Sequence, residues 1–193
     1  MYKNTVADRN VKDSNVTRIF GLLVLCGIAA VVVVSILGWS RQTSLTTASH
    51  FVHEATIGNK FEIESSQLAL SKSQNDTIRQ FAQHMVDDHG KAAAELGTVV
   101  STVPNITAEA PEARLDNERQ AMLDKLNGAT GQDFDRLYVK DQVKAHNDAV
   151  DMFRDYGSEG ENQSLKDFAS RTLPTLQSHK HDIDAIQASF FSH

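Results

Sequence analysis

A single cysteine, Cys26, leaves the chain without any internal disulfide. It follows Leu25, where lipidation of a cysteine calls for a small residue, so a lipoprotein anchor is not expected. Proline is equally scarce, with only Pro104, Pro111 and Pro174 among 193 residues, and glycine is not enriched. A turn-rich all-β chain needs more of both, so helices are expected. No G-x-S-x-G, no H-E-x-x-H and no phosphate-cradling glycine loop occurs. Without a nucleophile and its base, the chain is expected to be non-enzymatic. Positive charge runs short after Arg41. Residues 1–41 carry a net +3 of the total −6, which leaves −9 on residues 42–193. Such an acidic domain repels phosphates, and nucleic acid is excluded as a partner.

What is present is, first, a long apolar run. Residues 19–39 read IFGLLVLCGIAAVVVVSILGW, 21 residues without a charge. About 20 residues cross a bilayer core. Trp39 closes the run, as an interfacial aromatic does. Lys3, Arg9, Lys12 and Arg18 precede it, and only Arg41 follows closely. The positive-inside rule then makes residues 1–18 a cytoplasmic tail and 19–39 a transmembrane anchor. Residues 40–48 become a linker, and a domain of residues 49–193 faces the periplasm or exterior of a bacterial inner membrane. The competing reading is a cleaved signal peptide. The run is long for one, and Thr46-Thr47-Ala48 is a weak cleavage site.

The rest is written in helical periods. Apolar residues recur at three- and four-residue spacing over 49–72, 77–100, 133–156 and 164–189, with a shorter helix expected over 112–126. Ser73-Gln74-Asn75-Asp76 supplies a break and a cap between the first two. Residues 157–163 read as a polar turn, and Pro174 predicts a bend in the last helix. Four long amphipathic helices imply an antiparallel bundle.

Polar residues break into the apolar stripes at matching places. His89, His146 and His179 each lie on or beside the stripe of a different helix, and Glu62 borders the stripe of the remaining one. A bundle core gathers such side chains into a metal site, and imidazole with carboxylate suits iron, zinc or copper. The competing reading is a hydrogen-bonded polar network that fixes helix register. Asp88, Asp135, Tyr138 and Asp141 would support either. His50, His53 and His193 look exposed or terminal.

These residues fall in four ordered motifs. Phe81 to His89 fits F-A-x-x-M-x-x-D-H, and Gly131 to Tyr138, followed by His146, fits G-x-x-F-D-x-x-Y with a later histidine. Leu173 to His179 fits L-P-x-L-x-x-H, and Glu62-Ile63 precedes them all. Together they resemble bacterial domain-of-unknown-function family 4142, whose members are assigned to the membrane or to export. The resemblance implies a ferritin-like antiparallel four-helix bundle with a short extra helix; it implies no reaction. Di-iron members of the ferritin-like group use Glu-x-x-His pairs. None occurs here: Val86, Val143 and Leu176 stand three residues before the three histidines. The expected function is a membrane-anchored envelope module for binding or stress, with a His/carboxylate metal or redox site as the alternative.

Overall fold

The computed structural model describes residues 47–106 and 114–191. All of them belong to the compact unit Ser44–His193. The described residues form five helices and no strand: α1 (Ala48–Lys72), α2 (Asp76–Val100), α3 (Asn117–Gly128), α4 (Gly131–Glu159) and α5 (Gln163–Phe191). Among these, no helix is long and apolar enough to cross a membrane. The proposed anchor 19–39 and tail 1–18 lie outside the described residues.

Side-chain caps start the helices where the sequence offers them. Asn75 Oδ1 accepts from the amides of Thr77 and Ile78, at 3.0 and 3.2 Å. Asp116 Oδ1 accepts from the Arg119 amide at 2.7 Å, and Asn162 Oδ1 from that of Leu165 at 3.1 Å. Each satisfies an amide that has no partner within its own helix. Helix α4 begins differently. Thr130 makes no side-chain cap, and Gly131 adopts φ +56°, a left-handed turn that glycine enters without strain.

Two boundaries differ from expectation. The first turn of the short helix starts at Asn117 rather than 112, because Asp116 is the residue that can cap it. Helix α4 runs on through Gly157, Ser158 and Glu159, where the sequence predicts a turn. It stops at Gly160, where a Cβ would lie 2.6 Å from the Tyr156 carbonyl oxygen. Helix α5 continues unbroken through Pro174.

The core has two apolar halves. One joins the start of α1 (Phe51, Val52), the end of α2 (Leu96, Val100), the end of α4 (Phe153, Tyr156) and the start of α5 (Leu165, Phe168). Phe51 stacks on Tyr156 with centroids 4.0 Å apart and meets Phe153 edge-on at 5.1 Å. The other half joins the end of α1 (Ala69), the start of α2 (Ile78, Phe81, Met85), the start of α4 (Phe134, Tyr138) and the end of α5 (Ile183, Ile186). These memberships fix the directions. Helices α1 and α5 run one way, α2 and α4 the other. The pairs α1/α2 and α4/α5 are hairpins, and a single long crossover carrying α3 joins them.

Between the two halves, every long helix contributes buried polar side chains near its middle. They are Asn59, Glu62 and Ser65 on α1, His89 on α2, Gln142 and His146 on α4, and His179 on α5. A polar layer crosses the bundle where an apolar one would be expected.

Candidate metal centre

Three imidazoles meet in that layer. The ring centroids of His89, His146 and His179 are 5.5–5.7 Å apart. Each ring brings a nitrogen to within 4.8 Å of the other two. All three residues are at most 5% exposed. Register explains the meeting. Each histidine lies between the two apolar clusters of its own helix, and antiparallel packing puts those intervals at one height.

Each ring is held from behind by an acceptor. His89 Nδ1 donates to Asn59 Oδ1 at 2.9 Å, and His146 Nδ1 to the Gln142 carbonyl at 3.0 Å. His179 Nε2 donates to Asp88 Oδ2 at 3.2 Å. These bonds set the tautomers, because a carbonyl or carboxylate only accepts. The second nitrogen of each ring therefore carries a lone pair. His89 Nε2, His146 Nε2 and His179 Nδ1 are buried and have no protein partner.

The surroundings keep the rings uncharged. Burial, then repulsion from the other two histidines, holds His89 well below its ordinary 6.5. Burial lowers His146 to about 4. It lowers His179 as well, although the Asp88 carboxylate opposes the shift. For Asp88, burial pushes the carboxyl up, but the hydrogen bonds from Lys91 and His179 outweigh it and hold it below the usual range. Glu62 lies behind His146, its Oε1 3.8 Å from Nδ1, too long for a hydrogen bond. Burial pushes Glu62 up to about 8, so at neutral pH it is mostly protonated and this contact is not an ion pair.

A cavity of about 430 Å3, lined by all three rings, opens between α1, α2, α3, α4 and α5. Arg119 spans its rim, bonded to Glu54 at 3.0 Å and to Asp116.

The profile of the domain-of-unknown-function family DUF4142 matches residues 39–186. The chain is a member of the DUF4142 family. Its solved structural neighbours include CopM in the Cu(II)-bound form, 16% identical, with a TM-score of 0.63 over 75% of this chain and 98% of that one. CopM in a silver-bound form scores 0.61 at 16% identity, over 76% of this chain and 98% of that one. A protein of the DUF305 family from Streptomyces coelicolor, described as secreted, scores 0.59 at 13% identity over 75% and 94%. At such identities the likeness concerns the fold alone. No curated protein matches the sequence.

In this DUF4142 bundle the eight candidate residues separate into three groups. His89, His146 and His179 converge, and Asp88 and Glu62 stand directly behind two of them. Asp135 and Tyr138 stay apart. They precede His146 by eleven and eight positions on α4, which is roughly 16 and 12 Å along a helix axis. Tyr138 bonds Ser66 Oγ at 2.9 Å instead. Asp141 is half-buried among Lys140, Lys125 and Lys144, and burial raises it to about 6. Asn59 and Gln142 are participants that the stripe pattern passed over. The signal was their spacing, three before Glu62 and four before His146, which places them on the same helix faces. His50, read as exposed, is half-buried and lines the cavity.

Proposed function

We propose that this DUF4142 protein is an envelope metal-binding module that holds one transition-metal ion, copper in preference to zinc or iron, on His89, His146 and His179. One observation carries the reading: three buried imidazoles each bring a nitrogen within 4.8 Å of the other two, each ring has one nitrogen without a protein partner, and each ring's other nitrogen is anchored to an acceptor. Water satisfies such a set poorly, because one molecule has two protons for three acceptors. Protonation is opposed by the low pKa values of all three rings. A Lewis-acidic cation satisfies all three at once.

Ligand chemistry narrows the ion. Three neutral imidazoles suit copper or zinc, whereas magnesium and calcium take oxygen ligands. The stability order of divalent ions places copper above zinc for nitrogen donors. CopM, which shares the fold, has been solved with copper and with silver. Iron is disfavoured by the absence of Glu-x-x-His pairs. The Asn59, Gln142 and Asp88 acceptors are those that commonly back metal-ligating histidines, fixing tautomer and ring direction. Glu62 belongs to this supporting shell and supplies a negative charge when it loses its proton.

The ferritin-like reading fits the single crossover between two helical hairpins. The anchor 19–39 and the basic tail before it favour tethering to the inner membrane with the bundle outside the cytoplasm. With no nucleophile system in the sequence, a binding role is favoured over catalysis.

The test is metal uptake by protein purified without a histidine tag. After stripping and dialysis against copper, elemental analysis is expected to find one equivalent per chain in the wild type and none above background in His146→Ala. Equal metal in the two proteins, or none in either, refutes the site. A reporter active only outside the cytoplasm, fused after His193, tests the tether; a stable but inactive fusion refutes it.

A further inference from the structure

The cavity contains chemistry that a metal ion does not answer. Asn59 accepts from His89 through Oδ1, which leaves its Nδ2 turned elsewhere, buried and without a partner. An N–H donor cannot ligate a cation; it needs an acceptor oxygen or nitrogen. Glu62 Oε2 is likewise buried and unpartnered. Asn59 and Glu62 are 7% and 4% exposed, and both line the cavity at its histidine end. Two buried polar groups without a protein partner on one cavity wall offer a donor and an acceptor to an occupant.

The remaining walls describe the rest of the occupant. They are mostly apolar and include Phe61, Met122, Met152 and Leu176. Gly58 widens the space, since a Cβ there would meet nothing within 4 Å. The rim carries charges, and its carboxylates outnumber its cations, so it repels an anion. Arg119 pairs with Glu54 and Asp116, Lys144 with Glu118 and Asp148, and Asp88 with Lys91 and His179. Among the described lining residues, both cations, Arg119 and Lys144, are already paired, so neither is held ready for an anion. A concave apolar chamber with a few convergent polar groups is the usual form of a small-molecule site.

We propose that this cavity binds a small organic molecule that carries no negative charge and has a ring-sized apolar body and one oxygen-bearing end, the oxygen lodged between Asn59 and Glu62. A phenol is the simplest member of that class. The oxygen accepts from Asn59 Nδ2, and its hydroxyl proton or lone pair meets Glu62. The body replaces water against the methionines and Leu176. The proposal goes beyond metal binding, and its test is run on metal-free protein so that the two readings can fail separately.

The experiment follows three fluorinated probes by 19F NMR with the full chain in nanodiscs, stripped of metal. 4-Fluorophenol is expected to bind saturably. Fluorobenzene, which lacks the oxygen, and 4-fluorobenzoate, which carries a charge, are each expected to bind at least about tenfold more weakly, the ratio that one lost hydrogen bond or one unpaired buried charge commonly exceeds. Partition into lipid is non-saturable and identical for variants. Gly58→Leu fills the cavity from a helical position with open space and improves helix propensity, so a folded variant that loses saturable 4-fluorophenol binding is expected. Ala149→Leu, on the facing wall of α4, is the second filling variant. Both are expected to retain copper uptake. Absence of saturable 4-fluorophenol binding overturns the proposal. So does undiminished binding to both filled variants, or a preference for the benzoate.

Discussion

Replacing His146 by alanine separates a packing histidine from a ligand. In the metal-free protein the loss is modest. The ring is 1% exposed, so its removal leaves a void, and large-to-small changes at such sites commonly cost about 2–4 kcal/mol. Against that, the variant no longer buries a lone pair without a partner, which offsets about 1–3 kcal/mol. The Gln142 carbonyl is not orphaned, because as an interior helical carbonyl it faces the residue 146 amide as well. A net loss of about 1–2 kcal/mol is expected. Metal changes the comparison. Copper at a hundred times its dissociation constant stabilises the wild type by about 2.7 kcal/mol. For a domain of this size that raises Tm by roughly 5–10 °C. The variant is expected to show no rise. Circular dichroism at a helical wavelength, with and without copper, reads both quantities. An equal rise in the two proteins refutes His146 as a ligand. A wild type that does not respond, beside a variant that is merely less stable, leaves only the register-fixing network.

Two further outcomes rest on the same structure. Metal-free stability is expected to peak near pH 6.5. The histidines have folded pKa values below 6.5, His146 at about 4, so the unfolded chain binds more protons and stability falls as pH drops from 6.5 toward 4. Glu62 is raised from 4.5 to about 8, so its contribution is lost as pH rises through 8, and Asp141 acts in the same sense up to about 6. Three histidines outweigh two carboxyls below 6.5, and Glu62 alone acts above it. Urea titrations across pH should show both limbs, and Glu62→Gln should flatten the alkaline one and steepen the acid one above pH 4.5, where Glu62 opposes the histidines; an unchanged alkaline limb contradicts the assignment. Gly160→Ala is expected to cost about 1–3 kcal/mol, because its Cβ would lie 2.6 Å from both Tyr156 Cε1 and the Tyr156 carbonyl oxygen; a neutral substitution in urea unfolding refutes that close approach.

The helices were legible because their signals are local. Asn75 and the stripe of α2 declare that helix without help from the rest of the chain. Helix α1 was legible as a helix but not in its buried set. It is covered by α2, α3 and α4, so Ile57 and Asn59 are buried outside the expected stripe. Coverage by α3 depends on the crossover, which no local pattern encodes. The end of α4 departs from its local pattern for the opposite reason. Gly157 and Ser158 look like a turn, yet packing continues past them: a Cβ at Gly157 would lie 3.0 Å from Ser170 Oγ on α5. The site was legible as a list of residue types at stripe positions. Its membership was not, because height along the axis decides it. Asp135 and Tyr138 share the motif of His146 but sit two or three turns away, whereas Asn59 and Gln142 belong to no motif and touch the rings.

The polar layer itself is the clearest sign that this bundle is built for more than stability. Every residue in it could be apolar without disturbing the helices, since both neighbouring halves already are. Buried polar pairs replaced together by apolar groups of similar shape are commonly neutral or stabilising, whereas removing one partner is not. The four-fold change Asn59→Leu, His89→Leu, His146→Leu and His179→Leu removes the three unpartnered ring nitrogens and the unpartnered amide together. Asp88 keeps Lys91 and partial exposure, so it is not stranded. The variant is therefore expected to unfold about 1–3 kcal/mol later than the metal-free wild type in urea and to bind no copper. With copper present the order narrows or reverses, because only the wild type gains from the ion. If the four-fold variant is instead less stable than the metal-free protein, the layer earns its place through its own hydrogen bonds, and the metal reading loses its energetic basis.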